Sequence, residues 1–112
     1  MSREDDFDRF LLQVINETLQ YCLGETNINL IYRYLEEKQC ARNDIPKNID
    51  FFTDEFEKIV GSGRGQMIGA AKIIEDAITK MMCTKLEINY LDIKMGYFPD
   101  QVRKLKEIYT QQ

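Results

Sequence analysis

The chain has 112 residues, of which 44% are hydrophobic and 30% are charged. This composition is typical of one soluble globular domain that buries a core without disulfide bonds. The chain contains no histidine, which excludes Ser-His-Asp and Cys-His catalysis as well as histidine-ligated metals. Its three cysteines, Cys22, Cys40 and Cys83, form no CxxC motif. We therefore expect free thiols, no metal or cofactor, no catalytic residues and no enzyme activity.

The net charge of −4 is unevenly distributed along the chain. Residues 1–60 carry 13 acidic and 7 basic side chains, whereas residues 61–112 carry 6 and 8. The second half has no dense Lys/Arg run, the feature with which duplex DNA-binding proteins contact phosphates. No apolar run approaches the ~18 residues of a membrane span, and residues 1–6 lack the basic and then apolar order of a signal peptide. The sequence thus favours a cytoplasmic protein without membrane contact.

The first part of the chain predicts a helical hairpin. Apolar residues at helical spacing predict a first helix over residues 5–23, which Gly24 ends. A second helix is expected over residues 26–38, with Thr26 or Asn27 as its N-cap and with Leu30 and Tyr34 beside its inner face. The short connection predicts antiparallel packing of the two helices.

A polar segment separates this hairpin from the third helix. Residues 39–50 have no apolar period and contain Pro46, so they predict a loop that Ile45 and Ile49 attach to the core. The third helix is expected over residues 50–61, with Asp50 or Thr53 as its cap. Its predicted inner face consists of Phe52, Phe56, Ile59 and Val60.

Four of the six glycines lie in residues 61–69, directly before the longest apolar helical run. That run predicts a fourth helix over residues 66–85 that is apolar over more than half of its circumference. Such a helix is buried on several sides, and we expect it at the centre of the fold. Its narrow polar strip is predicted to consist of Lys72, Glu75, Asp76 and Lys80.

The C-terminal part predicts one more helix. Residues 86–97 are ambiguous: their alternation fits a short strand, but a helical continuation or an extended loop packed on the core is favoured. Pro99 and Asp100 open a last helix over residues 99–110. The predicted fold is therefore all-α, with one domain over residues 1–112 and about five helices around a central, broadly apolar fourth helix.

The glycine-rich segment is the first candidate for a binding site. Phosphate-binding loops follow a parallel strand, but here a predicted helix precedes the glycines and the Walker Lys-Ser/Thr pair is missing. A turn between two antiparallel helices therefore explains most of the glycines. A narrower alternative is an anion or nucleotide sensor at the start of the fourth helix, formed by Gly63, Arg64, Gly65 and Gln66.

Two further functions fit a small helical chain. Arg103, Lys104 and Lys106 on the outer side of the last helix are candidates for DNA binding, although the same cations fit a solvated helix surface. The alternative is a regulatory protein-interaction module, acting on a partner protein or by self-association. Five methionines and six tyrosines suit this function, since methionine adapts an apolar surface to a partner.

A family resemblance extends over about residues 11–109. Its most specific motif is Glu57-Lys58-Ile59-Val60-Gly61-Ser62-Gly63; the other matching residues are Leu23-Gly24-Glu25, Ile45-Pro46, Phe52, Phe56, Ile73-Ile74-Glu75 and Gly96-Tyr97-Phe98. With these residues the chain resembles the archaeal Nitrosopumilus output domain family. The segment Arg64-Gly65-Gln66 departs from the family pattern, which turns directly into the next helix. The resemblance implies a helical output domain of prokaryotic signal transduction, without enzyme activity or catalytic residues.

Overall fold

A computed structural model describes residues 2–61 and 70–111 of the chain. Most of these residues are helical and none lies in a β-strand, which confirms the predicted all-α class. The five α-helices, in chain order, are α1 (Arg3–Leu23), α2 (Glu25–Glu37), α3 (Ile49–Val60), α4 (Ala70–Leu86) and α5 (Phe98–Thr110). Two short 3₁₀-helices, Arg42–Asn48 and Tyr90–Asp92, lie in the connections.

The hairpin of α1 and α2 begins earlier and turns more sharply than predicted. The Ser2 side chain accepts a hydrogen bond from the Asp5 backbone N–H at 3.1 Å, so α1 begins at Arg3. Gly24 ends α1 with a φ of 85° and stands directly before α2. Because this left-handed residue turns the chain in a single step, no residue is left over for a cap. The predicted Thr26 or Asn27 cap is wrong, since Asn27 instead donates to the Leu23 carbonyl at 2.8 Å.

The segment predicted as a loop is instead the 3₁₀-helix Arg42–Asn48, which contains Pro46. The fixed φ of proline lies in the range of a 3₁₀-helix, so this residue does not disrupt it. Ile45 is fully buried and Ile49 is 6% exposed, which confirms that both residues attach the segment to the core.

Helix α3 begins at Ile49 and has no side-chain cap. The prediction of Asp50 or Thr53 as its cap is wrong, because both side chains have other partners. Asp50 pairs with Arg103, and the Thr53 hydroxyl donates to the Ile49 carbonyl at 2.7 Å. On the inner face, Phe52 and Phe56 are fully buried and stack with their ring centres 5.5 Å apart.

Helix α4 packs against α1, α3 and α5, and its most extensive contact is with α1. It is buried over a narrower surface than its composition predicts, since Ile73 is 69% and Met81 is 42% exposed. These residues are eight positions apart, so they share one side of the helix. The polar strip was also predicted wrongly at Glu75, which is 4% exposed and lies within the fold.

The chain after α4 forms no strand. The 3₁₀-helix Tyr90–Asp92 precedes the buried Ile93, and Gly96 has a φ of 103° two residues before α5. The large side chains that are fully buried come from all five helices and both connections: Phe7, Leu11, Ile15, Leu19, Leu35, Ile45, Phe52, Phe56, Ile78, Met82, Ile93 and Leu105.

Candidate functional site

An open apolar groove runs between α2 and the last turn of α3. It has a volume of about 400 Å³ and is lined by Leu23, Asn27, Leu30, Ile31, Tyr34, Ile59 and Val60. Leu30 is 55% exposed and Ile59 is 40% exposed, although both are aliphatic. The groove therefore presents apolar surface to solvent on two neighbouring helices.

Helical spacing explains how α2 contributes one wall. Ile28, Ile31 and Leu35 face the core, as predicted. Leu30 and Tyr34 are four residues apart, so they lie together on the flank of this inner face. Both side chains line the groove, where they meet the end of α3.

The opposite wall is the last turn of α3. The sequence predicts Ile59 and Val60 in the inner face of this helix, but both line the groove and Ile59 is 40% exposed. Phe56 and Phe52, one and two turns earlier, occupy the core. The helix ends at Val60, and Gly61, which has a φ of 111°, follows immediately beyond the groove.

Both polar side chains in the groove form a hydrogen bond within the chain itself. The Asn27 amide donates to the Leu23 carbonyl at 2.8 Å, and the Tyr34 hydroxyl donates to Glu55 Oε1 at 2.9 Å. Since these polar groups already have partners, the groove can recognise an occupant mainly through its aliphatic surface.

A buried carboxylate, that of Glu55, holds the Tyr34 side chain of the groove in place. Glu55 is 5% exposed, and its carboxylate accepts hydrogen bonds from the Lys58 ammonium and the Tyr34 hydroxyl, each at 2.9 Å. These two donors, Lys58 first and Tyr34 second, lower the pKa of Glu55 below its ordinary value. The carboxylate therefore stays ionised and fixes the position of the Tyr34 ring.

The cations predicted as a nucleic-acid site have partners within the chain. Arg103 lies 2.9 Å from Asp50 and 2.7 Å from Asp100, and these carboxylates raise the pKa of its guanidinium. The Lys104 ammonium donates to the Asp92 carbonyl at 3.2 Å, and the Lys106 ammonium lies 3.0 Å from Asp8 Oδ1.

Acidic residues also surround two of these cations. Arg103 and Lys106 line a groove of about 420 Å³ between α1 and α5, together with Glu4, Asp5, Asp8 and Asp50. A phosphate backbone entering this groove would meet carboxylates as well as cations, and like charges repel. The structure therefore brings two of the three predicted residues together, but in a surface of mixed charge.

The predicted anion site, Gly63, Arg64, Gly65 and Gln66, lies outside the described residues. Among the residues that are described, no group of three or more Cys, Asp or Glu side chains is arranged to hold a metal ion. Within the same ranges, every helix is too short or too polar to cross a membrane.

Sequence reasoning missed the groove as a site. The available signal was a pair of aliphatic residues, Leu30 and Ile59, at the edges of two predicted inner faces. Which of these edges remains open depends on how α2 and α3 pack, and this information is not contained in either helix alone.

Comparisons with known proteins give no relative. No protein-family model, no curated protein and no solved structure matches this chain.

Proposed function

We propose that this protein is a non-enzymatic interaction module that binds an amphipathic helix of a partner protein between α2 and α3. The observation that carries the proposal is the open aliphatic groove, in which Leu30 is 55% and Ile59 is 40% exposed. Exposed apolar surface that forms a continuous concave patch is typical of interaction sites. Covering these side chains with apolar partner atoms removes them from water and so favours binding.

A helix is the occupant that fits the chemistry of the groove. A helix satisfies its own backbone hydrogen bonds, whereas an extended peptide needs donors and acceptors from its receptor. The Asn27 and Tyr34 donors are engaged within the chain. A helix with apolar side chains at positions i, i+3, i+4 and i+7 would insert them along the groove without exposing unpaired polar groups.

The positive charge of Lys38 near the groove favours a partner helix that carries an acidic residue. The Lys38 ammonium lies 5.3 Å from the centre of the Tyr34 ring, at the α2 wall. A partner helix that carries a carboxylate beside its apolar side would place it near this cation. Such a contact on the rim contributes to orientation and association rate more than to affinity.

The resemblance to Nitrosopumilus output domains supports a place in prokaryotic signalling, and we expect the module to act in the cytoplasm. The DNA-binding alternative is weakened because Arg103 and Lys106 pair with carboxylates. Salt-dependent binding to random duplex DNA would nevertheless favour it. The anion-sensor alternative remains a prediction for residues 61–69, which backbone amide shifts on adding phosphate would test.

The test uses a synthetic amphipathic helical peptide with leucines at i, i+3, i+4 and i+7 and glutamates on its other side. We expect NMR shifts in Leu23, Leu30 and Ile59 when the peptide is added. Leu30→Glu should weaken binding by roughly tenfold or more, because the peptide would bury an unpaired carboxylate. Leu91→Glu is the matched control, since Leu91 is 63% exposed and lies outside the groove, and it should leave the affinity unchanged.

Two results would contradict the proposal. One is a peptide that binds Leu30→Glu and the original chain equally well, because the binding surface would then lie elsewhere. The other is concentration-dependent dimerisation that Leu30→Glu abolishes and Leu91→Glu preserves, since the groove would then hold a second copy of this chain.

A further inference from the structure

Two glutamates from neighbouring helices face each other on the other side of α3. Glu57 comes from α3 and Glu75 from α4, and their carboxyl groups are within hydrogen-bonding reach. Glu75 is 4% exposed, and the Glu57 side chain is 17% exposed. The Oε2 atom of each residue is buried and has no hydrogen-bond donor in the part of the chain that the structure describes.

Among the described residues, the surrounding charges compensate only partly for this pair. Lys72, one turn before Glu75 on α4, lies 4.0 Å from Glu57 Oε2, which is beyond hydrogen-bonding distance, and its side chain is 63% exposed. Asp76 bonds to Lys80 and Tyr90, while Lys94 lines the same small cavity as Glu75 without an ion pair to it among the described residues.

The remaining neighbours of Glu75 within residues 2–61 and 70–111 are neutral. From α5, Gln101 lines the same cavity, but its amide donates to the carbonyls of Lys94 and Gly96, and its oxygen accepts from Thr79. The buried side of α1, which packs on α4, carries only apolar side chains and Thr18. Residues 2–61 and 70–111 therefore provide no donor for the buried Oε2 atoms of Glu57 and Glu75.

Two ionised carboxylates in this arrangement would repel each other, and their buried Oε2 atoms would lack hydrogen bonds. A single proton removes both problems, because one carboxyl then donates to the other in a short, charge-assisted hydrogen bond. The pKa of Glu75 agrees with this geometry. Burial first, and the neighbouring Glu57 second, raise this pKa to about 8, while the positive charge of Lys72 lowers it.

We propose that Glu57 and Glu75 share one proton at neutral pH, and that this proton joins α3 to α4 and makes their contact sensitive to rising pH. Glu57 lies two residues before Ile59, and the Ala71 N–H donates to the Gly61 carbonyl at 3.3 Å where the two helices meet. Loss of the proton therefore acts on the last turn of α3. This turn is one wall of the groove, so we expect rising pH to change the affinity for a partner helix as well. That part of the inference rests on the proposed function.

The direction of the pH effect follows from proton linkage. The folded chain holds this proton up to about pH 8, whereas an unfolded glutamate releases it near 4.5. The folded state is therefore the better proton binder between these two values. The contribution of the pair to stability is fully present below pH 4.5, declines as the pH rises toward 8 and stays constant above it.

The test compares urea unfolding midpoints of the original chain and Glu75→Gln from about pH 5 to pH 9. The glutamine amide donates a hydrogen bond to Glu57 without a titrating proton. We expect nearly equal midpoints at pH 5 and a growing advantage of Glu75→Gln toward pH 8. Glu57→Gln should reduce this pH dependence without abolishing it, because burial still raises the pKa of Glu75, and the exposed Glu17→Gln should run parallel to the original chain. Parallel curves for all four proteins would overturn the proposal.

A second readout addresses α3 itself and needs no partner. The methyl signals of Ile59 and Val60 should shift in the original chain with a midpoint near the loss of the shared proton, and should not shift in Glu75→Gln. Methyl signals that do not change with pH would overturn the coupling to α3. Because no peptide is present, this result is independent of whether the groove binds a helix.

Discussion

Glu55 and Glu57 lie two residues apart on α3, and their side chains meet different neighbours. Two residues correspond to about 200° around a helix, so the first glutamate faces α2 and the second faces α4. Glu55 receives hydrogen bonds from Lys58 and Tyr34, and its pKa is lowered. On the α4 side Glu75 is equally buried, but it meets another carboxyl, and its pKa is raised to about 8.

The comparison shows that the neighbouring donors, and not burial alone, determine the charge of a buried carboxyl. Both Glu55 and Glu75 are about 5% exposed or less. Burial raises the pKa in each case, but at Glu55 the two hydrogen bonds outweigh it. At Glu75 the neighbouring Glu57 carboxyl raises the pKa further. The same residue type is therefore a fixed anion on one side of α3 and a proton carrier on the other.

The largest expected effect comes from giving Glu75 a cationic hydrogen-bond donor like the one that Glu55 already has. Glu57→Lys would place a cationic donor beside Glu75, and the partly exposed position allows the ammonium to reach solvent. We expect the pKa of Glu75 to fall from about 8 to below its ordinary value. The carboxyl carbon-13 shift of Glu75 measures this change.

A conservative substitution serves as the control for this experiment. Glu57→Gln removes a charge without supplying a cation, so it should lower the pKa of Glu75 less than Glu57→Lys does. A Glu75 carboxyl that titrates at the same pH in both variants and in the original chain would show that Glu57 has no effect on it.

A smaller effect is expected where α3 ends between the two environments. Gly61 has a φ of 111°, and its carbonyl accepts the hydrogen bond from Ala71. Gly61→Ala should cost about 1 kcal/mol of unfolding free energy, because a side chain strains this left-handed conformation. Urea denaturation at pH 5 separates this effect from the carboxyl pair. An unchanged midpoint would mean that the turn adapts without strain.

The sequence predicts the helices well because their apolar period is a local property. The core positions Phe52, Phe56, Val102 and Leu105 follow from this period alone. Boundaries were less accurate where a single residue decides them, as at Gly24, whose turn removed the need for the predicted cap.

The candidate sites depended on contacts between segments distant in sequence. Glu75 has the spacing of a solvated strip, and only the packing of α3 on α4 buries it against Glu57. Arg103 has the spacing of an outer surface, but Asp50, from another helix, neutralises it. The exposure of Ile59 likewise depends on where α2 lies. Periodicity within one helix carries no information about these neighbours.

The most direct test of the difference between the two sides of α3 is a carbon-13 NMR titration of the Glu55 and Glu75 carboxyl groups in one sample. Because both groups share the same temperature, salt and protein, their difference reports their surroundings alone. We predict that Glu55 titrates below its ordinary value of 4.5 and Glu75 near 8. Titration of both carboxyls together near 4.5 would contradict the account.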